Sequence, residues 1–181
     1  FFMAPMVHWP EVMATYEQTE KVLFTADGFG KFGTLDTDEE WACEARRYYF
    51  NICGKYGAQV QLLLTKVANL EIDTICPLHG PILNENLEYY INKYDVWSSY
   101  KPEDKGTLIA YNSIHGNTGK AIETLEEILK ENGEENVVVS DLARSDIAEV
   151  IEDAFRYDKM TIATPTYDAG LFPTTELFLR E

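Results

Sequence analysis

The stretch Thr107-Leu108-Ile109-Ala110-Tyr111-Asn112-Ser113-Ile114-His115-Gly116-Asn117-Thr118-Gly119-Lys120-Ala121 decides the fold of the second half of this chain. Its first five residues read as an apolar strand, and the next eight as a loop of Gly, amide and hydroxyl residues. Ala121, Ile122, Leu125, Ile128 and Leu129 then recur at the spacing of one helical face, predicting a helix over 117–131. The alternation continues outward. Val137-Val138-Val139 reads as a second strand, 145–155 as a helix with Ile147, Val150, Ile151 and Ala154 inward, 159–163 as a third strand, and Leu171 opens a last helix. Strand and helix alternating with short connections imply a parallel sheet with right-handed crossovers. Three parallel strands leave an edge and an inner face uncovered, so further chain is expected after Glu181.

The loop at 112–119 has the chemistry of an anion cradle. A strand-to-helix turn points backbone N–H groups and the positive end of a helix dipole at its ligand. Ser113, Asn117 and Thr118 add donors, and Gly116 lets the main chain come close. The loop holds no Lys or Arg before Lys120, and neither GxxxxGK[ST] nor GxGxxG is present. An ordinary N-cap by Asn117 or Thr118 is the plainer reading. A second loop, Ala163-Thr164-Pro165-Thr166-Tyr167-Asp168-Ala169-Gly170, follows the third strand. With strand order 2-1-3, the two loops border one crevice beyond the carboxyl ends of strands 1 and 3. A planar ring with a phosphate tail suits that pair of walls.

Upstream, the polar run Trp97 to Gly106 carries Pro102 and Gly106 and divides the chain, giving expected domains at 1–100 and 107–181 with a connector at 101–106. The first half reads as short strands at Met6-Val7, 12–16 and 22–25, a helix over 38–52, a second after Gly57, a strand at Thr74-Ile75-Cys76 and a helix over 84–94. The 181 residues are 45% hydrophobic and 13% aromatic, enough for a buried core, and their formal net charge is −16. That balance disfavours nucleic acid, which demands clustered cations, and disfavours an anionic membrane surface. No apolar run approaches a membrane span. Cys43, Cys53 and Cys76 are odd in number with no CxxC, which suits a reducing, cytoplasmic setting and simple core packing. No basic leader precedes the core, no initiator Met is present, and the end falls inside a helix, so a piece of a longer protein is expected.

His8, Asp27 and His79 share a setting: each is a metal-capable side chain in a loop just after a short apolar strand. Such positions let ligands project from a rigid sheet into one pocket. A capping His8 and plain turns at Asp27-Gly28 and His79-Gly80 remain the alternative.

The wording around these residues carries a resemblance. Ser113-Ile114-His115-Gly116-Asn117-Thr118 with Thr164-Pro165-Thr166-Tyr167 resembles the first half of a flavodoxin domain. Ala4-Pro5-Met6-Val7-His8-Trp9-Pro10, Leu23-Phe24-Thr25-Ala26-Asp27-Gly28-Phe29-Gly30 and Pro77-Leu78-His79-Gly80 resemble the latter half of the metallo-β-lactamase-like domain of flavodiiron proteins, in which a flavodoxin domain follows. The resemblance implies an α/β chain, part of an αββα metal domain followed by part of a doubly wound parallel sheet. It implies that Ser113, His115, Gly116, Asn117 and Thr118 hold the phosphate of FMN, and that Pro165, Thr166, Tyr167 and Gly170 line its ring. It further implies that His8 and His79 each ligate one of two Fe ions and that Asp27 bridges them, at the roughly 3.5–4 Å of two-metal sites. Zinc or manganese would suit the same imidazole and carboxylate donors. The implied activity is reduction of dioxygen to water, or of nitric oxide to nitrous oxide. A rubredoxin or similar donor supplies electrons, in a head-to-tail homodimer or a dimer of dimers. Two departures touch the surroundings of the metal site: Glu11-Val12 stands where Asp-Ser is usual, and Lys31-Phe32 where Gln-His is common. The family's H-x-E-x-D ligand motif is absent from these residues. A zinc hydrolase of the metallo-β-lactamase superfamily and a flavodoxin-type electron carrier without catalysis are the competing readings.

Overall fold

A computed structural model of the chain describes residues 1–36 and 38–181, which divide into two units, Phe1–Lys101 and Pro102–Glu181. The first unit contains β1 (Phe2–Met3), β2 (Met13–Glu17), β3 (Val22–Phe24), α1 (Trp41–Ile52), α2 (Gly57–Val67), β4 (Thr74–Cys76) and α3 (Leu87–Ser98). Its strands form one sheet in the order β1-β2-β3-β4, antiparallel except for the parallel β3–β4 pair. Ala14, Leu23 and Ile75 are buried, while Met13 and Phe24 are exposed, the alternation of a pleated sheet with one face covered. The helices bring Tyr49, Val60, Leu63, Tyr94 and Trp97 into the same core.

The second unit contains β5 (Asp104–Tyr111), α4 (Asn117–Glu131), β6 (Val137–Asp141), α5 (Ile147–Arg156), β7 (Tyr157–Ala163) and α6 (Pro173–Arg180). Its sheet is parallel throughout, in the order β6-β5-β7, so the expected crevice lies between β5 and β7. Leu108, Ile109 and Ala110 are each wholly buried, as a central strand covered on both faces must be. No helix among the described residues is long and apolar enough to cross a membrane.

Several boundaries differ from expectation, three of them for an evident local reason. The first strand is Phe2–Met3, not Met6-Val7. Pro5 and Pro10 have no N–H to offer a ladder, and Met6 adopts φ 66°, so this segment turns instead, closed by Met6 N–H to Trp9 O at 2.8 Å. The strand expected from Thr107 begins at Asp104, within the expected connector. Arg156 Nε donates to Asp104 Oδ2 at 2.8 Å and Gly106 N–H to Asp158 Oδ1 at 2.9 Å, extending the pairing past a register shift. A Cβ on Gly106 would stand 2.6 Å from the Tyr157 ring, so only glycine fits there. Finally, α3 runs to Ser98, because Trp97 and Ser98 are buried where the sequence reads as connector.

Candidate functional site

The parallel pair β3–β4 sets two loops side by side, and hydrogen bonding continues beyond the strands. Thr25 N–H reaches Cys76 O at 3.2 Å, and Leu78 N–H reaches Ala26 O at 2.8 Å. Asp27 and His79 therefore emerge next to one another. His8 enters from the turn between β1 and β2. The Asp27 carboxylate meets both imidazoles: Oδ2 lies 3.1 Å from His8 Nε2 and Oδ1 lies 3.5 Å from His79 Nε2. Residues separated widely along the chain thus converge on one carboxylate.

The loop carrying Asp27 is tightly held. Ala26 and Phe29 adopt φ 52° and 65°, a conformation costly for side chains with a Cβ. Thr25 Oγ1, buried, donates to Gly28 O at 2.6 Å. Phe29 N–H donates to the Tyr94 hydroxyl at 2.6 Å, and Trp41 Nε1 donates to Phe29 O at 3.3 Å. Side chains of α3 and α1 thereby grip both polar groups of Phe29, two residues beyond Asp27. Gly30 is equally constrained, since a Cβ there would lie 2.5 Å from His79 Cε1.

His79 Nδ1 lies 3.0 Å from Lys31 O. A carbonyl only accepts, so Nδ1 carries the proton in this contact, and Nε2 is the ring nitrogen turned toward Asp27. Tyr48 roofs the group. It is buried, with its ring centroid 4.6 Å from that of His79 and 6.4 Å from that of His8. Burial first, and the charge of Asp27 second, push the Tyr48 phenol well above its ordinary value and keep it protonated.

No cluster of three or more His, Cys, Asp or Glu side chains closes around one point among the described residues. Each imidazole addresses a different oxygen of Asp27. That donor set fits two cations joined by a carboxylate, with two ligands from these residues at each, and does not fit a single enclosed ion.

In the second unit, Gly116 stands at the N-cap of α4 and adopts φ 83°, with no side-chain hydrogen bond capping the helix. Ser113 Oγ accepts from Gly119 N–H at 3.2 Å, leaving the N–H groups of Asn117 and Thr118 at the mouth of the turn. Ser113, His115, Asn117, Thr118, Pro165 and Thr166 line one cavity of about 240 Å³, so both loops do border a common crevice. Gly116 lies on the neighbouring side of the turn, toward β6. Tyr167 and Gly170 are exposed and close a turn through Tyr167 N–H to Gly170 O at 3.0 Å and Gly170 N–H to Tyr167 O at 2.8 Å. Beneath the crevice, Asn112 is fully buried, and its Oδ1 accepts from Thr174 and Thr175 hydroxyls at 2.9 and 2.6 Å. The cradle of N–H groups, hydroxyls and an open flat wall fits a phosphorylated planar ligand.

The roles of Gly30, Tyr48, Tyr94, Trp41 and Asn112 escape a reading of sequence alone. Helical spacing marks Trp41 and Tyr48 as inward, and Asp-Gly-Phe-Gly marks Gly30 as a loop glycine.

No protein-family model matches the chain. An anaerobic nitric oxide reductase flavorubredoxin of an Enterobacter species is 31% identical over 96% of this chain and 38% of its own length. The crystal structure of the flavodiiron protein from Giardia intestinalis matches 99% of this chain and 46% of its own, at 26% identity and a TM-score of 0.90. Rubredoxin oxygen:oxidoreductase from Desulfovibrio gigas, at 24% identity and a TM-score of 0.88, covers 98% of this chain and 47% of its own and supports the fold. The chain spans less than half the length of these relatives. Sequence and fold converge on one assignment: the chain belongs to the flavodiiron protein family.

Proposed function

We propose that this chain is part of a flavodiiron oxidoreductase that reduces dioxygen to water or nitric oxide to nitrous oxide. The observation that carries the proposal is the Asp27 carboxylate spanning His8 and His79. In this reading residues 1–100 belong to a metallo-β-lactamase-like diiron domain and 107–181 to a flavodoxin-like FMN domain. His8, Asp27 and His79 hold the two irons. Ser113, His115, Gly116, Asn117 and Thr118 cradle the FMN phosphate, with Pro165, Thr166, Tyr167 and Gly170 beside its ring. When bound, the irons would deliver electrons to oxygen or nitric oxide and the flavin would resupply them.

The chain's own residues set the conditions for that chemistry. Asp27, gripped through Phe29 by Tyr94 and Trp41, keeps both oxygens turned to the imidazoles. Lys31 O fixes the tautomer of His79, leaving Nε2 to ligate. Tyr48 closes the site to water from one side and holds a proton near it. The turn at Gly116 meets phosphate with neutral donors, so the charge of the ligand is matched by dipoles and hydrogen bonds. A rubredoxin-type donor, a cytoplasmic setting and a head-to-tail pairing of copies complete the proposal.

Metal and flavin analysis tests it. Asp27→Ala should abolish iron binding and oxygen consumption while FMN binding persists. Zinc bound in place of redox-active iron, with hydrolytic activity, would favour the hydrolase reading. Metal-free protein that still shuttles electrons through FMN would favour the carrier.

A further inference from the structure

The carboxyl ends of β5 and β7 and the start of α6 meet at one buried amide. Asn112, the residue after β5, is wholly buried, and its backbone N–H donates to Ala163 O at 2.9 Å. Its side-chain Oδ1 accepts from the hydroxyls of Thr174 and Thr175, at 2.9 and 2.6 Å, in the first turn of α6. Thr175 is wholly buried too, and its Oγ1 lies 3.1 Å from Oγ1 of Thr164, the residue after β7. One side-chain network therefore joins the residue before Ser113 to the residue before Pro165. Ser113 and Pro165 line the same cavity of about 240 Å³.

Packing alone does not account for an amide here. Leu108, Ile109 and Ala110, just before it on β5, are equally buried and are aliphatic. The Asn112 Nδ2 is buried without a hydrogen-bond partner among the described residues, a penalty that an aliphatic side chain would avoid. What the amide offers is an acceptor with two lone pairs, and two hydroxyls of α6 use it. Leucine would fill the space and cut that tie.

The tie matters to a ligand that touches both loops. When two contacts belong to one molecule, the second forms at high effective concentration, provided the two subsites keep the right spacing. We infer that Asn112 is a positioning residue: through Thr175 and Thr164 it holds the loops at 113–119 and 164–170 at the spacing that lets one phosphorylated flavin engage both. The inference rests on the flavin reading above. Asn112 is not among the residues that line the cavity, so its effect passes through the loops it joins. The loss on cutting the tie is therefore selective. FMN spans both loops, whereas riboflavin lacks the phosphate and reaches the ring loop only.

The test measures dissociation constants of FMN and of riboflavin by flavin fluorescence on the whole chain, with urea unfolding of each variant alongside. The parent should hold FMN more tightly than riboflavin. Thr175→Val removes the hydroxyl at nearly constant size and should shrink that preference about tenfold, while Thr175→Ser keeps the hydroxyl and should retain it. Asn112→Leu combined with Thr175→Val removes both partners, so stability should return close to the parent's. The preference should stay reduced in that double variant, which a merely stabilising role for Asn112 would not produce. A preference equal to the parent's overturns the inference, as does a loss of FMN and riboflavin affinity in the same proportion. Should the double variant fail to fold, Thr175→Val against Thr175→Ser decides by the same ratio. A parent that binds neither flavin, or both equally, overturns the flavin reading and the positioning role with it.

Discussion

At the scale of single residues, the decisive fact is how little room surrounds His79. Its ring is held by Lys31 O on one edge and Tyr48 on a face, and Gly30 lies against Cε1. Gly30→Ala would put a methyl group where the imidazole sits and is expected to cost about 1–3 kcal/mol of stability as overpacking. It should also weaken metal binding by about 10–100-fold, the usual penalty for disturbing a ligand's support. Denaturant titration and metal competition check the two effects separately, and unchanged metal affinity would detach His79 from the site. His8, Asp27 and His79 drew notice in the sequence as metal-capable side chains in loops, although His8 lies in a turn and not after the strand expected at Met6-Val7. The roles of Gly30 and Tyr48 were not legible there. They arise from contacts with a residue far along the chain, and a helical spacing such as Tyr48's says only that a side chain is inward.

At the scale of elements, two structures carry the functional loops. The first is the grip of α3 and α1 on Phe29. Tyr94→Phe would leave the Phe29 N–H buried without its partner, at an expected cost of about 1–3 kcal/mol measurable by urea unfolding. A stability equal to the parent's would mean that the loop holds itself. The second is the start of α4. Gly116 and Gly133 adopt φ 83° and 88°, and neither has an atom within 4 Å of an added Cβ. Ala at either position should therefore destabilise by a similar amount, about 1–2 kcal/mol, through backbone conformation alone. Only Gly116→Ala should weaken FMN binding as well, because only there do the affected N–H groups face a ligand cradle. Equal FMN affinity in the two variants would place the phosphate elsewhere. The alternation of strand and helix after residue 106 was plain from apolar periodicity, which is strong in a sheet covered on both faces. Before it, strands of two to five residues gave weak signals, and Pro5 and Pro10 turned an apolar-looking run into a bend.

At the scale of the molecule, the ionisable groups buried in the first unit give its stability a direction with pH. Burial first, with the charge of Asp27 adding to it, pushes the Cys53 thiol up to about 12, and burial likewise raises the phenols of Tyr48, Tyr49 and Tyr94. The unfolded chain releases these protons near 9 for the thiol and near 10 for the phenols, before the folded chain does. Their contribution is complete below pH 9 and declines as pH rises toward 12, so alkaline titration should unfold the first unit cooperatively. Cys53 should resist alkylation at pH 8 while exposed Cys43 reacts. Thiol labelling kinetics against near-ultraviolet dichroism check both, and rapid Cys53 labelling in folded protein would refute its burial. The net acidity was readable from composition, whereas the packing of aromatic rings of α1 against those of α3 was not, because periodicity reads each helix by itself. The proposed metal centre is most directly open to measurement by adding cobalt(II) and recording the paramagnetically shifted imidazole resonances. His8 and His79 should both shift, and both shifts should vanish in Asp27→Ala. Imidazole signals that ignore the ion, or that respond equally without Asp27, would contradict a carboxylate-bridged pair.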